Sequence, residues 1–221
     1  MEISITIIII AVTVITSLVA FNNHQLLEQF IFYPPAIARG QIYRFFSSGL
    51  IHADYGHLIF NMLALYLFGE MVESQFVEIF DQKGKLIYLA MYVLALGAAS
   101  IPTYSKNKDN YHYRSLGASG AVSAVIFAGI LFQPLVGIGF FFVPVFIAGF
   151  IFGIIYLAVS GWLDKRGGGN INHSAHIFGA LFGVGFTIIA CQAISDYPVL
   201  TMFIEQIKNM NAGDIIQFRG R

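Results

Sequence analysis

The sequence predicts an all-α, polytopic membrane protein with six transmembrane helices. Three observations carry that prediction. Of the 221 residues, 57% are hydrophobic and only 11% charged, whereas a water-soluble domain carries about a quarter charged residues. The mean hydropathy is +0.73. The apolar residues gather into stretches near the ~20 residues that cross a bilayer, without the polar alternation of membrane-barrel strands. Backbone amides in lipid must be bonded within their own segment, so such stretches are helices. The formal net charge is +0, with neither a basic patch nor an acidic tail, so nucleic acid is not an expected partner. The single cysteine, Cys191, cannot form an intramolecular disulfide.

The first helix is expected at Ile3–Phe21. It lacks a basic leading region and a small-residue cleavage site, so it reads as a retained helix and not a signal peptide. Asn22–Gly56 is long and not plainly polar. It holds FIFYPPAI (Phe30–Ile37) and IYRFFSSGLIH (Ile42–His52), and aromatics beside Pro34 and Pro35 point to folded structure at the headgroup level. The second and third helices are expected at His57–Gln75 and Lys85–Tyr104, followed by a polar surface loop, Ser105–Ser115. The fourth, Ser119–Phe132, is short for a span and ends in a tight turn, Gln133–Gly137. The fifth, Phe140–Gly161, is expected to kink at Pro144. A glycine-rich link, Asp164–Asn172, leads to the sixth, Ser174–Ile194. The tail is weakly amphipathic around Leu200–Met210, and no internal repeat is visible. Residues 1–195 are expected to form one membrane domain and 196–221 a C-terminal tail.

Polar groups inside these stretches are sparse and need a reason. His57 and Asn61 are four residues apart, so they share a helix face near one end. Taken alone they suit an interfacial histidine and a packing asparagine. Together they are two donors aimed at one point, half of an anion pocket. The last helix opens with His173 and His176, followed by Gly179 and Gly183, a small-residue packing face. His176 lies on that face, while His173 sits one turn further out, toward water. Ser119 is flanked by Gly117, Gly120 and Ala121, with Ser123 a turn later. A lone serine there packs or bonds its own backbone. If the fourth and sixth helices pack through Gly120 and Gly179, however, its hydroxyl reaches the imidazole, giving the nucleophile–base pair of acyl transfer. No carboxylate is available to orient His176, so the pair is a dyad. His52, His57, His173 and His176 also permit a metal reading. Without HExxH, and with only the loop residue Asp54 nearby, no metal and no cofactor are expected.

GASG (Gly117–Gly120), HLIFN (His57–Asn61) and AHIFGALFG (Ala175–Gly183) resemble the rhomboid intramembrane serine proteases. YRFFSSGLIH (Tyr43–His52) and FGEMVE (Phe68–Glu73) add to the match, which runs from Ile3 to about Ile194. The resemblance implies a six-helix bundle that cleaves single-span or polytopic membrane proteins in or near the lipid bilayer. It implies Ser119 as nucleophile and His176 as general base. Asn61, His57 and the Ser119 backbone amide would stabilise the oxyanion, and Gly117 would let backbone approach the scissile carbonyl. Arg44 and Glu73 are implied to be structural. Two positions depart from the pattern. Ser123 stands where many members stack an aromatic on the histidine, a place Phe178 or Phe127 would have to fill. Ile177-Phe178 alters the glycine pattern after Ala175-His176.

A multi-pass protein of a bacterial-type inner or plasma membrane is expected, with its active-site face non-cytoplasmic. Asn22–Gly56, Ser105–Ser115 and Asp164–Asn172 then lie outside and both termini inside. The positive-inside count runs slightly the other way: Arg39, Arg44, Lys106, Lys108, Arg114, Lys165 and Arg166 outside against Lys83, Lys85, Lys208, Arg219 and Arg221 inside. The fifth helix is bulky, makes few obvious small-residue contacts and is expected to move to admit a substrate helix. A non-proteolytic rhomboid-like binding protein would lack the serine or the histidine, and a transporter would show repeats or paired broken helices.

Overall fold

Ser4 starts the first helix. Its hydroxyl accepts the Ile7 amide and opens α1 (Ile5–Asn22) in a computed structural model that describes residues 3–139, 143–167 and 171–218. The side of α1 facing the bundle carries Thr6, Ile9, Thr13, Ser17 and Ala20, all buried, while Ile7, Val12, Ile15 and Val19 are exposed. Small and polar residues inside, branched apolar residues outside, is what lipid favours, because small side chains let helix backbones approach.

The segment after α1 folds as its aromatics and prolines indicate. It forms α2 (His24–Phe30), α3 (Pro34–Ala38), α4 (Arg44–Ser47) and a 3₁₀ turn, Ser48–Leu50. The buried Arg44 knits it together. Its Nη1 donates to the carbonyls of Glu28 (2.9 Å) and Ile31 (2.7 Å), and its Nε to Gln41 Oε1 at 2.7 Å. The Glu28 carbonyl is among those that the end of α2 leaves without a helical partner.

Helices α5 (Tyr55–Phe80) and α6 (Gly84–Asn107) form a hairpin that reverses at Asp81, where φ is 52°. Both run longer than the apolar stretches alone suggest. α5 continues past Gln75 because Phe76 and Phe80 still face the core, and the polar residues beyond Tyr104 extend α6 to Asn107, shortening the surface loop. Glu73, buried on α5, accepts the amides of Ile5 (2.8 Å) and Thr6 (2.9 Å), so a carboxylate from a neighbouring helix caps the first turn of α1.

Helix α7 (Ser119–Phe132) occupies the centre, with nearly every residue after Ser119 buried. Fourteen residues give a helix of about 21 Å, well short of the ~30 Å hydrocarbon layer. Its ends therefore cannot both reach the membrane surfaces.

The fifth helix differs from expectation. Instead of one kinked helix over Phe140–Gly161, there are two short strands, β1 (Gly137–Gly139) and β2 (Val145–Ala148), followed by α8 (Gly149–Arg166). Phe140–Phe142 lie outside the described residues. Pro144 does not kink a helix because it precedes one: it has no N–H to donate and biases its predecessor toward extended backbone. The β-branched Val145 and Ile147 then suit a strand, which pairs antiparallel with β1 and with β3 (Ile216–Phe218) in the order β1-β2-β3. The all-α bundle thus carries a small sheet where α7 connects to α8. Nor is α8 poor in small-residue contacts. Gly149 and Gly153 are buried and face Val136, Ile130 and Phe127 around α7.

Helix α9 (His173–Ala190) continues into one π-helical turn, Cys191–Ser195. Of the expected Asp164–Asn172 link, Asp164–Arg166 belong to α8 and residues 168–170 lie outside the described residues. The tail folds back as α10 (Val199–Lys208) and α11 (Ala212–Ile215), with Gln206 Nε2 donating to the Phe132 carbonyl at 3.1 Å. Residues 219–221 lie outside the described residues. α1, the α5–α6 hairpin and α9 are long and apolar enough to cross a membrane. The protein is an integral membrane helix bundle.

The tightest packing joins α7 to α9. A Cβ on Gly179 would lie 2.0 Å from the Gly120 carbonyl oxygen, and one on Gly183 would lie 2.1 Å from that of Ala124. Glycine at both positions lets the two backbones touch.

Candidate active site

Three helix N-termini converge. α5 begins where the Asp54 carboxylate accepts the His57 amide at 2.8 Å, which places His57 in the first turn and Asn61 one turn below. Asn61 Nδ2 donates to the His57 carbonyl at 2.8 Å. That uses one of its two amide hydrogens and leaves the other.

The approach to α7 is pinned on both sides. Phe32 and Ser115 exchange backbone hydrogen bonds of 2.9 and 3.1 Å, and the Gly117 amide donates to the Ser48 carbonyl at 2.9 Å. Gly117 has φ +112°, and a Cβ there would sit 2.5 Å from His57 Cε1. Glycine is needed for the backbone and for the imidazole beside it. The next amide, of Ala118, donates to His52 Nε2 at 3.4 Å. Ser119 then opens α7, so its own N–H is a first-turn donor with no intrahelical acceptor, at the positive end of the helix dipole.

α9 is capped by Asn172, whose side-chain oxygen accepts the Ala175 amide (3.1 Å) and the Thr103 hydroxyl of α6 (3.0 Å). His176 follows one turn in. Ser119 Oγ and His176 Nε2 are 2.8 Å apart. Both line a cavity of about 450 Å³, together with His57, Asn61 and Gly117. All the sequence-predicted site residues therefore border one space. The arrangement supplies a hydroxyl, an imidazole bonded to it, and donors around them, which are the parts acyl transfer needs.

Two expectations from the sequence do not hold. His173 is not out in water. It is partly buried, its ring lies edge-on to His176 at 5.8 Å, and Nδ1 is buried without a hydrogen-bond partner among the described residues. Neither Phe178 nor Phe127 packs on His176 as the substitute aromatic. Phe178 is 43% exposed, and Phe127 packs against Tyr156 instead, with centroids 5.7 Å apart. The ring stacked on His176 is Tyr156 of α8, at 6.1 Å between centroids and 19° between planes. Sequence reasoning misses it by seeking a replacement near Ser123 or His176 in the chain. The available signal is a hydroxylated aromatic four residues after Phe152, in the apolar first half of α8.

His52 is fully buried between α1 and the Ser119 turn. Its Nε2 accepts the Ala118 amide, so Nδ1 carries the hydrogen and donates to Ser17 Oγ at 3.0 Å, which donates onward to the Leu50 carbonyl at 3.0 Å. Burial, with the His57 ring beside it, pushes its pKa down to about 4, and Asp54 opposes the shift weakly. A histidine held neutral when folded but free to protonate when unfolded stabilises fully above about pH 6.5 and loses that contribution as pH falls toward about 4. The apparent Tm in detergent should drop steadily over that window, by an amount equivalent to about 3 kcal/mol at the acid end. His52→Gln should flatten the slope, and an unchanged slope would mean that another group carries it.

The Rhomboid domain family model matches residues 39–193. RHOMBOID-like protein 12, mitochondrial, of Arabidopsis thaliana is 27% identical over 169 residues, covering 72% of this chain and 50% of that protein. The rhomboid relative YdcA of Bacillus subtilis (strain 168) is 27% identical over 163 residues, covering 72% of this chain and 73% of its own. The chain thus spans about half the length of the Arabidopsis relative it matches.

Proposed function

This chain belongs to the rhomboid family, and on that premise we propose that it is an intramembrane serine endopeptidase that cleaves proteins containing transmembrane segments, in or near the bilayer. The observation that carries the reading is the 2.8 Å contact between Ser119 Oγ and His176 Nε2 at a cavity wall. His176 takes the serine proton as Oγ attacks the scissile carbonyl. The charge that develops on the carbonyl oxygen is met by the Ser119 amide, the free Asn61 Nδ2 hydrogen and the His57 ring. His176 returns the proton to the leaving amine, and water entering by the cavity hydrolyses the acyl-enzyme. Gly117 admits the His57 ring beside the turn and lines the cavity by which substrate backbone approaches. The shortness of α7 supports a site recessed below one membrane surface. Reconstituted with a single-span protein in liposomes, the chain should produce fragments whose new ends map within or beside the transmembrane segment. Cleavage confined to soluble regions would contradict the proposal.

Asn61→Ala should lower turnover by roughly 10–1,000-fold with little change in KM, because the donor acts mainly in the transition state. His57→Ala should do the same more mildly. A change confined to KM would make both residues binding or packing groups.

We place the active-site face on the non-cytoplasmic side. Loops that lead into the starts of α5, α7 and α9 must share one face, and Arg44, one of the cations counted against this topology, is buried in backbone contacts. Asn107 and Lys83 flank opposite ends of α6. As single cysteines in a Cys191→Ser background, they should label from opposite sides with an impermeant maleimide, Asn107→Cys from outside. Labelling of Lys83→Cys from outside would invert the topology.

A further inference from the structure

The aromatic wall of His176 comes from a different helix than the one that carries the candidate nucleophile. Tyr156 lies on α8, and its ring is nearly parallel to the imidazole, 6.1 Å away. Its hydroxyl meets Ser123 Oγ at 2.8 Å. Ser123 is buried on α7, one turn after Ser119. The tyrosine ring is itself backed by Phe152, stacked at 5.8 Å and 27°, and by Phe127 at 5.7 Å. Ser123, Phe152 and Phe127 therefore hold one ring, and that ring lies nearly parallel beside His176. The small side chain at Ser123 leaves the space that Tyr156 enters, and its hydroxyl satisfies the phenol, which would otherwise be a polar group in an apolar interior.

A serine–histidine dyad has no carboxylate to hold the imidazole plane. With Nε2 engaged by Ser119 at 2.8 Å, rotation about that bond is limited only by what packs on the ring faces. We propose that Tyr156 is the positioning residue of the His176 imidazole, anchored through Ser123, so that seating α8 against α7 aligns the base. The seat is built from the buried Gly149 and Gly153, which bring α8 within contact of Ile130 and Phe127. A rigid shift of α8 would move the ring off the histidine. This inference rests on the protease reading above.

The test measures the rate at which a fluorophosphonate labels Ser119 in the 221-residue chain in liposomes, together with kcat and KM for a single-span substrate. Tyr156→Ala should slow labelling and kcat by about 10–100-fold with KM little changed, as a misplacement of about 1 Å does. Tyr156→Phe keeps the ring and loses the anchor, so it should lose only about 3–10-fold. Ser123→Ala should match it, and the double variant should be no worse. The decisive variant is Tyr156→Ala combined with Ser123→Tyr, which returns an aromatic to the same space from α7. It should recover most of the rate lost by Tyr156→Ala alone. Wild-type rates in Tyr156→Ala overturn the proposal. So does a slow Tyr156→Ala that the relocated tyrosine fails to rescue while its thermal stability is restored, because the ring then matters only for folding. If Tyr156→Ala does not fold, full activity in both Tyr156→Phe and Ser123→Ala overturns the anchor. A wild-type protein that leaves Ser119 unlabelled overturns the protease reading and this inference with it.

Discussion

Ser119→Ala and His176→Ala should each abolish cleavage of a membrane substrate, and the double variant should be no worse than either. A serine hydroxyl attacks slowly unless a base takes its proton, and an imidazole without its nucleophile has nothing to activate. Members of such a unit are strongly non-additive, so the two losses should coincide instead of multiplying. The expected loss in kcat is at least about 1,000-fold for each, on the scale seen when the central groups of a serine hydrolase are removed. The serine variant changes one atom at the mouth of α7, and the histidine variant leaves Gly179 and Gly183 in place, so both should keep wild-type thermal stability. Substantial cleavage by either folded variant would remove its residue from the chemistry.

Gly179→Ala should be nearly as damaging, although residue 179 does not line the cavity. Its Cβ would lie 2.0 Å from the Gly120 carbonyl oxygen, where ordinary contact begins at 3.4 Å. The obstacle is backbone, so no rotamer relieves it. α7 and α9 must part by about 1.4 Å, the difference between those two distances. His176 is one turn from Gly179 and Ser119 is adjacent to Gly120, so the separation opens the 2.8 Å contact past the range of a hydrogen bond. Activity should fall by about 100-fold or more, with a stability loss of about 1–3 kcal/mol from overpacking. Gly185→Ala on the same helix is the control. A Cβ there meets nothing within 4 Å, so activity should be unchanged. Equal tolerance of the two alanines would mean that the α7–α9 contact does not govern the site.

Apolar run length is enough to find α1, α5, α6, α7 and α9, because a spanning segment must be both helical and apolar. It misjudges α5 and α6 at their ends, where packing and capping extend a helix past its apolar residues. It fails ahead of α8. Val145–Ala148 is as apolar as the helix that follows, so run length cannot separate the strand from the helix. β2 exists because Pro144 and its β-branched neighbours meet β3, which lies about seventy residues later in the chain, and no local pattern reports such a pairing. Of the candidate site residues, Ser119 and His176 are legible because each opens a helix among small residues, a signature of close approach, and His57 and Asn61 because a spacing of four puts two donors on one helix face. Tyr156 is not legible, since it reaches His176 only through the placement of α8. His173 is misread for a related reason: helical spacing gives a residue's height along α9 but not what packs beside it.

The Ser119–His176 dyad is tested by mass-spectrometric mapping of a fluorophosphonate adduct on the 221-residue chain in liposomes. A single adduct on Ser119 is expected in the wild type, with its loss in His176→Ala at unchanged thermal stability. An adduct on another serine, or one on Ser119 that forms as fast without His176, would contradict it.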